Sequence, residues 1–162
     1  MYPIKIITVD KSRYLEEKAN EAGLAYAQMM ENAGRGTAQA IQRQWGTKGK
    51  RIVVLVGPGN NGGDGLVAAH YLREMSALVT CYIWKRRSDG DDNFQRVEAD
   101  GLPVIWAEDD DGFGTLRGLL SGVDVVVDAL LGVGVSRPIG GLLQEILDAA
   151  RQALADRKSA AA

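Results

Sequence analysis

The chain has 162 residues, of which 46% are hydrophobic and 25% are charged, and its net charge is -2. That length suffices to bury the core of one domain, and the near balance of charge excludes the basic surface that nucleic acid or an anionic membrane would require. No apolar run approaches the roughly 20 residues of a membrane span, and residues 1–5 lack the features of a signal peptide, so we predict a cytoplasmic protein.

Two helices are predicted before the first strand. The first begins after a cap at Thr8 or Asp10, reaches about Ala22 and ends at Gly23. The second occupies 24–45, because apolar or small residues recur along it every three or four positions. Such a stripe predicts a helix face that packs on a core.

The first strand leads into a glycine-rich loop. The β-branched run 53–56 predicts a strand covered on both faces, and residues 57–63 then lead to a helix predicted at about 64–75. Glycines allow backbone N–H groups to approach an anion at the start of a helix, and the positive helix end favours phosphate. The sequence therefore predicts a nucleotide phosphate site here.

Strands and helices alternate through the rest of the chain. Strands are predicted at 78–84, 102–106 and 123–128, and helices at about 91–100, 113–120 and 139–157. This alternation indicates right-handed crossovers and a mostly parallel, Rossmann-like sheet with helices on both faces. The predicted fold is an α/β protein, a three-layer α/β/α sandwich with two leading helices.

A second loop that contains glycines follows the last predicted strand. Because the carboxyl ends of parallel strands share one edge, Asp128 and the loop 132–138 are expected to face Asn60, Asn61 and Asp64 across a crevice. Amide and carboxylate oxygens there could coordinate a hard cation or bond to sugar hydroxyls. In the alternative interpretation Asp128 merely caps its own loop.

Two familiar nucleotide-binding motifs fit poorly. Gly57, Gly59 and Gly62 satisfy G-x-G-x-x-G, but a typical NAD site has an acidic residue at the end of the second strand, where this chain has Trp84 and Lys85. The Walker pattern fails because no Lys-Ser or Lys-Thr follows the final glycine. A nicotinamide oxidoreductase is therefore disfavoured.

The remaining charged and reactive residues have ordinary explanations. The charge-rich segments 85–92 and 108–112 are predicted to be solvated loops. Lys85 is the exception, because it stands at the carboxyl end of a strand, where such sheets bind ligands. His70 is predicted to be a surface or packing residue, and Cys81 a buried, inert thiol.

Three segments together resemble the YjeF N-terminal domain family, the NAD(P)H-hydrate epimerases. They are Asn-Asn-Gly-Gly-Asp-Gly at 60–65, the loop at 128–134 followed by Arg137 and Pro138, and Met-Glu-Asn-Ala-Gly at 30–34. The resemblance covers nearly the whole chain. It implies an isomerase, commonly dimeric, that acts on hydrated NADH or NADPH in nicotinamide nucleotide repair.

The resemblance also implies roles for individual residues. The nucleotide part of the substrate would contact a first group, namely Asn60, Asn61, Gly62, Gly63 and Asp64. A second binding loop would comprise Gly132, Val133, Gly134, Val135, Ser136, Arg137 and Pro138. Potassium ion is the implied cofactor, with Asn61 and Asp128 as ligands, and Lys85 matches a lysine proposed as catalytic.

The chain departs from the family at its end. Family members continue into a strand with an Asp-x-Pro-Ser-Gly motif, whereas this chain stops after its last predicted helix. We therefore expect 1–162 to be a single domain truncated before its last strands. The resemblance further implies a fused or partner dehydratase that depends on ADP or ATP.

Two questions stay open from the sequence. The alternative to an epimerase is a non-catalytic nucleotide-binding or protein-binding module of the same fold, although Asn61, Asp128 and Lys85 favour catalysis. The preference between the two hydrates is also undecided, since Arg86, Arg87 or neither could recognise the phosphate that distinguishes them.

Overall fold

The helices and strands alternate along the chain much as predicted. The structure is a computed structural model that describes residues 7–135 and 138–160. Its elements in chain order are α1 (Val9–Glu21), α2 (Tyr26–Trp45), β1 (Arg51–Val56), α3 (Asn60–Glu74), β2 (Leu78–Ile83), α4 (Asp92–Ala99), β3 (Val104–Trp106), α5 (Gly114–Ser121), β4 (Val125–Ala129) and α6 (Leu142–Ala160). Only the start of α3 differs from its predicted boundary by more than about three residues.

The four strands form a parallel sheet in the order β3-β2-β1-β4. At its centre Val54 of β1 pairs with Cys81 of β2 on one side and with Val127 of β4 on the other. Each connection between strands contains a helix, which is what joining parallel neighbours requires. The predicted parallel sheet is confirmed.

Helices cover both faces of this sheet. Side chains alternate along β1, so Ile52, Val54 and Val56 pack against α2, α3 and α4, while Val53 and Leu55 pack against α5 and α6. Both sets are buried, which explains why β1 is a continuous apolar run without polar alternation. The predicted three-layer sandwich is confirmed.

The contact between α2 and α3 depends on a glycine. Gly34, Ala38 and Ile41 form the buried side of α2. A Cβ atom on Gly34 would lie 2.5 Å from the Cβ atom of Val67, so any side chain there would push the helices apart. The predicted stripe fails at both ends, where Leu24 and Ala27 are exposed and Trp45 is 53% exposed.

Helix α1 stands apart from the core. Thr8 caps it as predicted, with its hydroxyl oxygen accepting a hydrogen bond from Lys11 N at 3.2 Å. None of its residues is buried, and Tyr14 and Leu15 leave about half of their surface exposed. α1 therefore contributes little to the stability of the sandwich.

The lone cysteine and the lone histidine lie in the interior. Burial raises the pKa of the Cys81 thiol to about 12, which confirms the prediction of an inert residue. The Nδ1 atom of His70 lies 2.5 Å from a carboxylate oxygen of Asp100, so His70 joins α3 to the end of α4 as a packing residue. No helix in the described part of the chain is long and apolar enough to cross a membrane.

Candidate functional site

The sheet has a topological switch point between β1 and β4. From β1 the chain moves to β2 and β3 on one side and then crosses back to β4 on the other. In open α/β sheets, the crevice outside the carboxyl ends of the strands at such a point is the usual ligand site. Val56 and Ala129, which are paired in register, mark this edge.

The glycine-rich segment after β1 is mostly helical. α3 begins at Asn60, four residues before the predicted start, so Asn60 to Gly63 form its first turn. The predicted start at Asp64 was wrong. Two adjacent glycines are unfavourable in a helix interior, but Gly62 and Gly63 lie in the first turn of α3, where close packing leaves no space for side chains. Residues 57–59 alone form the connecting turn.

Backbone contacts join this turn to the end of β4. Gly57 N donates a hydrogen bond to the carbonyl oxygen of Ala129 at 3.0 Å. A Cβ atom on Gly57 would lie 1.8 Å from the carbonyl oxygen of Leu130, and one on Gly62 would lie 2.0 Å from the carbonyl oxygen of Gly57. These positions admit no side chain, so glycine is required for the two segments to approach.

Asn61 connects the two segments with its side chain. Its amide nitrogen donates a hydrogen bond to the carbonyl oxygen of Leu131 at 3.0 Å. Gly132 lies close by, since a Cβ atom there would be 3.2 Å from that of Asn61. Asn60 is exposed one residue earlier. The start of α3 and the loop after β4 therefore meet at the switch point, as the parallel arrangement led us to expect.

Asp64 has an unusual environment on the next turn of α3. It is half-buried, and this burial raises the pKa of its carboxyl group to about 6, with the negative charge of Glu16 on α1 adding to the effect. Among the described residues no donor is hydrogen-bonded to its carboxylate. The pKa of Asp64 therefore lies closer to neutral pH than that of an ordinary aspartate.

Asp128 and the loop after it are exposed. A carboxylate oxygen of Asp128 accepts a hydrogen bond from Leu130 N at 3.1 Å, so Asp128 does cap its own loop, while the carboxylate remains open to solvent. The described members of the predicted second binding loop share this exposure: Gly132, Val133, Gly134, Val135 and Pro138. Ser136 and Arg137 lie outside the described residues.

Two adjacent basic residues after β2 behave differently. Lys85 is exposed, whereas the side chain of Arg86 is partly buried against the turn at residues 57–59, the glycine turn. Arg86 Nη1 donates to the carbonyl oxygens of Gly57 and Gly59, each at 3.1 Å, and its Nε donates to Asp91 at 2.5 Å. The sequence had suggested only a solvated, charge-rich loop around Arg86. The feature that could have indicated its position is Asp91, five residues later, which pairs with Arg86 and also caps α4.

A cavity of about 640 Å³ opens beside the same turn. It lies at the carboxyl ends of β2 and β3, and its lining includes Arg86, Arg87, Asp89, Trp106, Glu108 and Asp109. Trp106 is held against Phe94, with ring centroids 5.6 Å apart. The two charge-rich segments were predicted to be solvated loops, and most of their residues are exposed. The structure adds that the two segments lie side by side, because β2 and β3 are neighbours.

The described residues do not include a group of three or more His, Cys, Asp or Glu side chains arranged to hold a metal ion. The predicted potassium ligands are of a different kind, one amide oxygen and one carboxylate. Potassium binding therefore stays a prediction.

The family of YjeF-related protein N-termini matches residues 26–161. The chain belongs to this family. The match contains both glycine-containing segments and Lys85, together with every strand and helix except α1. The YjeF family thus accounts for α2, the leading helix that a plain dinucleotide-binding domain would lack.

Curated relatives include two bacterial proteins named NAD(P)H-hydrate epimerase. That of Rhodobacter capsulatus is 36% identical over 152 residues, which cover 85% of this chain and 66% of the relative. That of Roseobacter litoralis is 34% identical over 158 residues, covering 85% and 67%. The bifunctional NAD(P)H-hydrate repair enzyme Nnr of Thermofilum pendens is 37% identical over 151 residues, covering 90% of this chain and 28% of that enzyme.

Among solved structures, the crystal structure of yeast YNL200c is similar with a TM-score of 0.79 and 25% identity. The similarity covers 93% of this chain and 66% of the yeast chain. This YjeF-family chain therefore spans about two thirds of the length of the yeast protein and of the two bacterial epimerases, and a smaller part of the bifunctional enzyme.

Proposed function

We propose that the chain is an NAD(P)H-hydrate epimerase, an isomerase that interconverts the R and S epimers of hydrated NADH or NADPH. The hydrogen bond from Asn61 to the Leu131 carbonyl carries this proposal, because it joins the two glycine-containing segments at the switch point of the sheet. The names of the two bacterial relatives support the same activity.

The start of α3 is the proposed site for the nucleotide phosphates. The first N–H groups of a helix lack partners within the helix, and the positive end of its dipole attracts an anion. Gly62 and Gly63 serve the packing around this turn, since a Cβ atom on Gly63 would lie 2.6 Å from the sulfur of Met30. Asn60 and Asp64 remain available to bond to the substrate.

Potassium is the proposed cofactor at the same edge, with Asn61 and Asp128 as ligands. The nitrogen of the Asn61 amide is held by Leu131, which leaves the amide oxygen as the coordinating atom. The exposed carboxylate of Asp128 supplies a second oxygen. Oxygen ligands suit a hard cation, so this donor set fits. The bound ion would supply positive charge that stabilises negative charge on the substrate.

Lys85 is the proposed catalytic residue. Epimerisation requires a bond at C6 of the hydrated nicotinamide ring to break and re-form, and this carbon bears both the hydroxyl group and the ring nitrogen. The Lys85 ammonium donates a proton to the hydroxyl, which leaves as water while the nitrogen lone pair forms a double bond to C6. Water then adds to the other face and returns its proton to the amine.

We also propose a homodimer, a dehydratase partner or fused dehydratase domain, and a cytoplasmic location. The exposed apolar side chains of α1, Tyr14 and Leu15, support association with a second copy. The bifunctional relative supports a second repair activity in the same pathway. The site provides no observation that favours a non-catalytic module.

A chromatographic assay tests the epimerase activity. Hydrated NADH enriched in the R epimer is incubated with the chain in potassium buffer, and the ratio of R to S is followed against a sample without protein. We expect acceleration by the chain. No acceleration, with binding of the hydrate retained, would instead establish a binding module.

Replacing Lys85 by Met tests the proton transfer. We expect a loss of roughly 100-fold or more in turnover with binding of the hydrate retained, since positioned acid–base groups contribute about that much. The matched control is Lys48→Met, at an exposed lysine before β1 and hence at the opposite end of the sheet. Undiminished turnover in the Lys85 variant would remove this residue from the reaction.

A further inference from the structure

We propose that the cavity at the carboxyl ends of β2 and β3 binds the adenosine end of the substrate and that its carboxylates make the chain prefer hydrated NADH to hydrated NADPH. The assignment rests on the proposed function, because the two hydrates differ only by a phosphate on the adenosine ribose. It names a specificity site at the end of the edge formed by β2 and β3, next to the proposed catalytic residue Lys85.

The position of the cavity connects it to the phosphate site. Arg86 belongs to both, since it lines the cavity and donates to the carbonyl oxygens of Gly57 and Gly59 in the glycine turn. A dinucleotide with its phosphates at the start of α3 therefore has a direct route for its adenosine end into the cavity. The cavity is an open cleft of about 640 Å³, which is large enough for a nucleoside.

Trp106 provides a surface for the adenine ring. It stands at the end of β3, lines the cavity and is partly exposed. Its contact with Phe94 fixes the indole, so stacking a base on it requires little reorganisation. Aromatic side chains stack on bases without regard to their hydrogen-bonding pattern, which suits a site that fixes adenosine by shape.

The charges in the cavity decide between the two hydrates. Arg86 pairs with Asp91 at 2.5 Å, and both side chains are largely buried, so its charge is already balanced. The other charged residues of the lining are Arg87, Asp89, Glu108 and Asp109. One cation against three carboxylates leaves two negative charges in this part of the lining.

Negative charge has opposite effects on the two substrates. Carboxylates accept hydrogen bonds from the ribose hydroxyls of hydrated NADH, as an acidic residue does in many NAD sites. The same carboxylates repel the phosphate of hydrated NADPH. Arg87 alone cannot offset three carboxylates, so the cavity favours the substrate without the extra phosphate.

The cavity is tested directly by comparing the affinities of two nucleotides that lack the nicotinamide ring and differ only in the extra phosphate. We measure the affinity of the chain for ADP-ribose and for its 2′-phosphate by calorimetry. ADP-ribose is expected to bind roughly tenfold or more tightly than its 2′-phosphate, a difference of about 1.4 kcal/mol. Equal binding, preference for the 2′-phosphate, or no binding of either would overturn the proposal.

A charge variant tests the residues. The double variant Glu108→Gln/Asp109→Asn removes two exposed charges and is expected to reduce the preference for ADP-ribose by roughly tenfold. Asp148→Asn/Asp156→Asn, on the exposed side of α6, makes the same change in net charge outside the cavity and is expected to keep the preference. Equal effects of the two double variants would overturn the assignment.

A ring variant tests the adenine site, with Trp106→Phe as the conservative comparison. Trp106→Ala is expected to weaken binding of both nucleotides by a similar factor of roughly ten, and Trp106→Phe to restore most of it. Thermal unfolding establishes that both variants fold. Binding by a folded Trp106→Ala chain that equals that of the unchanged chain would overturn the assignment.

The two proposals fail in different ways. Nucleotide binding that responds to Trp106 and Glu108, without epimerisation of either hydrate, refutes the proposed function and retains the cavity as an adenosine site. Epimerisation of both hydrates at equal kcat/KM, with nucleotide binding that ignores these residues, refutes the cavity and retains the epimerase.

Discussion

Asp64 and Asp110 are both shielded from water near the beginning of a helix, but the pKa values of their carboxyl groups move in opposite directions. Burial raises the pKa of Asp64 to about 6, and the charge of Glu16 raises it further. Burial acts to raise the pKa of Asp110 too, but hydrogen bonds from Thr115 and Leu116 at the start of α5 hold it below its usual value.

The difference comes from the donors around each carboxylate. Asp110 accepts hydrogen bonds from the backbone N–H groups of Thr115 and Leu116 at 2.9 Å and from the Tyr82 hydroxyl at 3.1 Å. Asp64, in the crevice at the switch point, receives none from the described residues. Burial with donors marks a structural carboxylate, and burial without them marks one available to a ligand.

The largest expected effect is the loss of the Asp110 carboxylate. Asp110→Ala is expected to lower the free energy of unfolding by about 3 kcal/mol near neutral pH, because three donors lose a buried, charged acceptor. The measurement is urea unfolding, and Asp111→Ala, at the exposed neighbouring residue, is expected to change stability by less than about 0.5 kcal/mol.

The same variant has a defined pH dependence. Because the folded-state pKa of Asp110 lies below the ordinary value of 3.8, its stabilising effect is complete above that value and is lost as the pH falls through the folded-state pKa. The difference between the unchanged chain and Asp110→Ala should therefore shrink in acid. A difference that is constant down to low pH would contradict the interpretation.

A smaller effect of opposite sign is expected at Asp64. Its pKa is about 6 in the folded chain and 3.8 as the reference value, so folding binds a proton between these pH values and stability falls as the pH rises through them. Asp64→Asn is expected to raise the free energy of unfolding by about 1 kcal/mol at pH 8, a discounted figure because the carboxylate retains contact with water.

Measurements at two pH values decide this prediction. The gain in stability of Asp64→Asn should shrink as the pH falls and disappear well below 3.8, where Asp64 is neutral in both states, and epimerisation should fall at all pH values. Asp148→Asn, on the exposed face of α6, is the control. A variant that is less stable than the unchanged chain at pH 8 would show that Asp64 is a structural residue like Asp110.

The smallest effect is expected at Glu16. Glu16→Gln removes the charge that faces Asp64 from α1, so the pKa of Asp64 should decrease toward its usual value and stability at pH 8 should rise by a few tenths of a kcal/mol. NMR titration of the Asp64 carboxyl carbon measures the shift. Glu17→Gln, one residue along the same exposed helix, should move it less, and equal shifts would show that only the net charge matters.

The sequence predicted the fold well because local patterns and the layered architecture agree. The apolar run in β1 indicated a strand covered on both faces, and alternation with helices indicated a parallel sheet. The start of α3 was missed because its glycines are selected by lack of space, since a Cβ atom on Gly62 would lie 2.0 Å from the carbonyl oxygen of Gly57, and helix propensity does not include this effect.

The candidate site was predictable in part for the same reason. Topology alone was enough to bring Asn61 and the loop after β4 to one edge of the sheet. The position of Arg86 was not predictable, because a long side chain in a charge-rich loop can lie in water or reach back to a turn, and only the three-dimensional structure distinguishes these. The cavity was missed because its lining comes from two loops distant in the sequence.

The contact of Gly57 with Leu130 limits how this site can be redesigned. With a prospective Cβ atom 1.8 Å from the Leu130 carbonyl oxygen, every substitution at position 57 displaces main chain on both sides of the crevice. Mutant libraries that vary the turn should leave this position fixed. New substrate preferences are better sought in side chains at the rim, where Arg87 and Asp109 can be exchanged without moving the backbone.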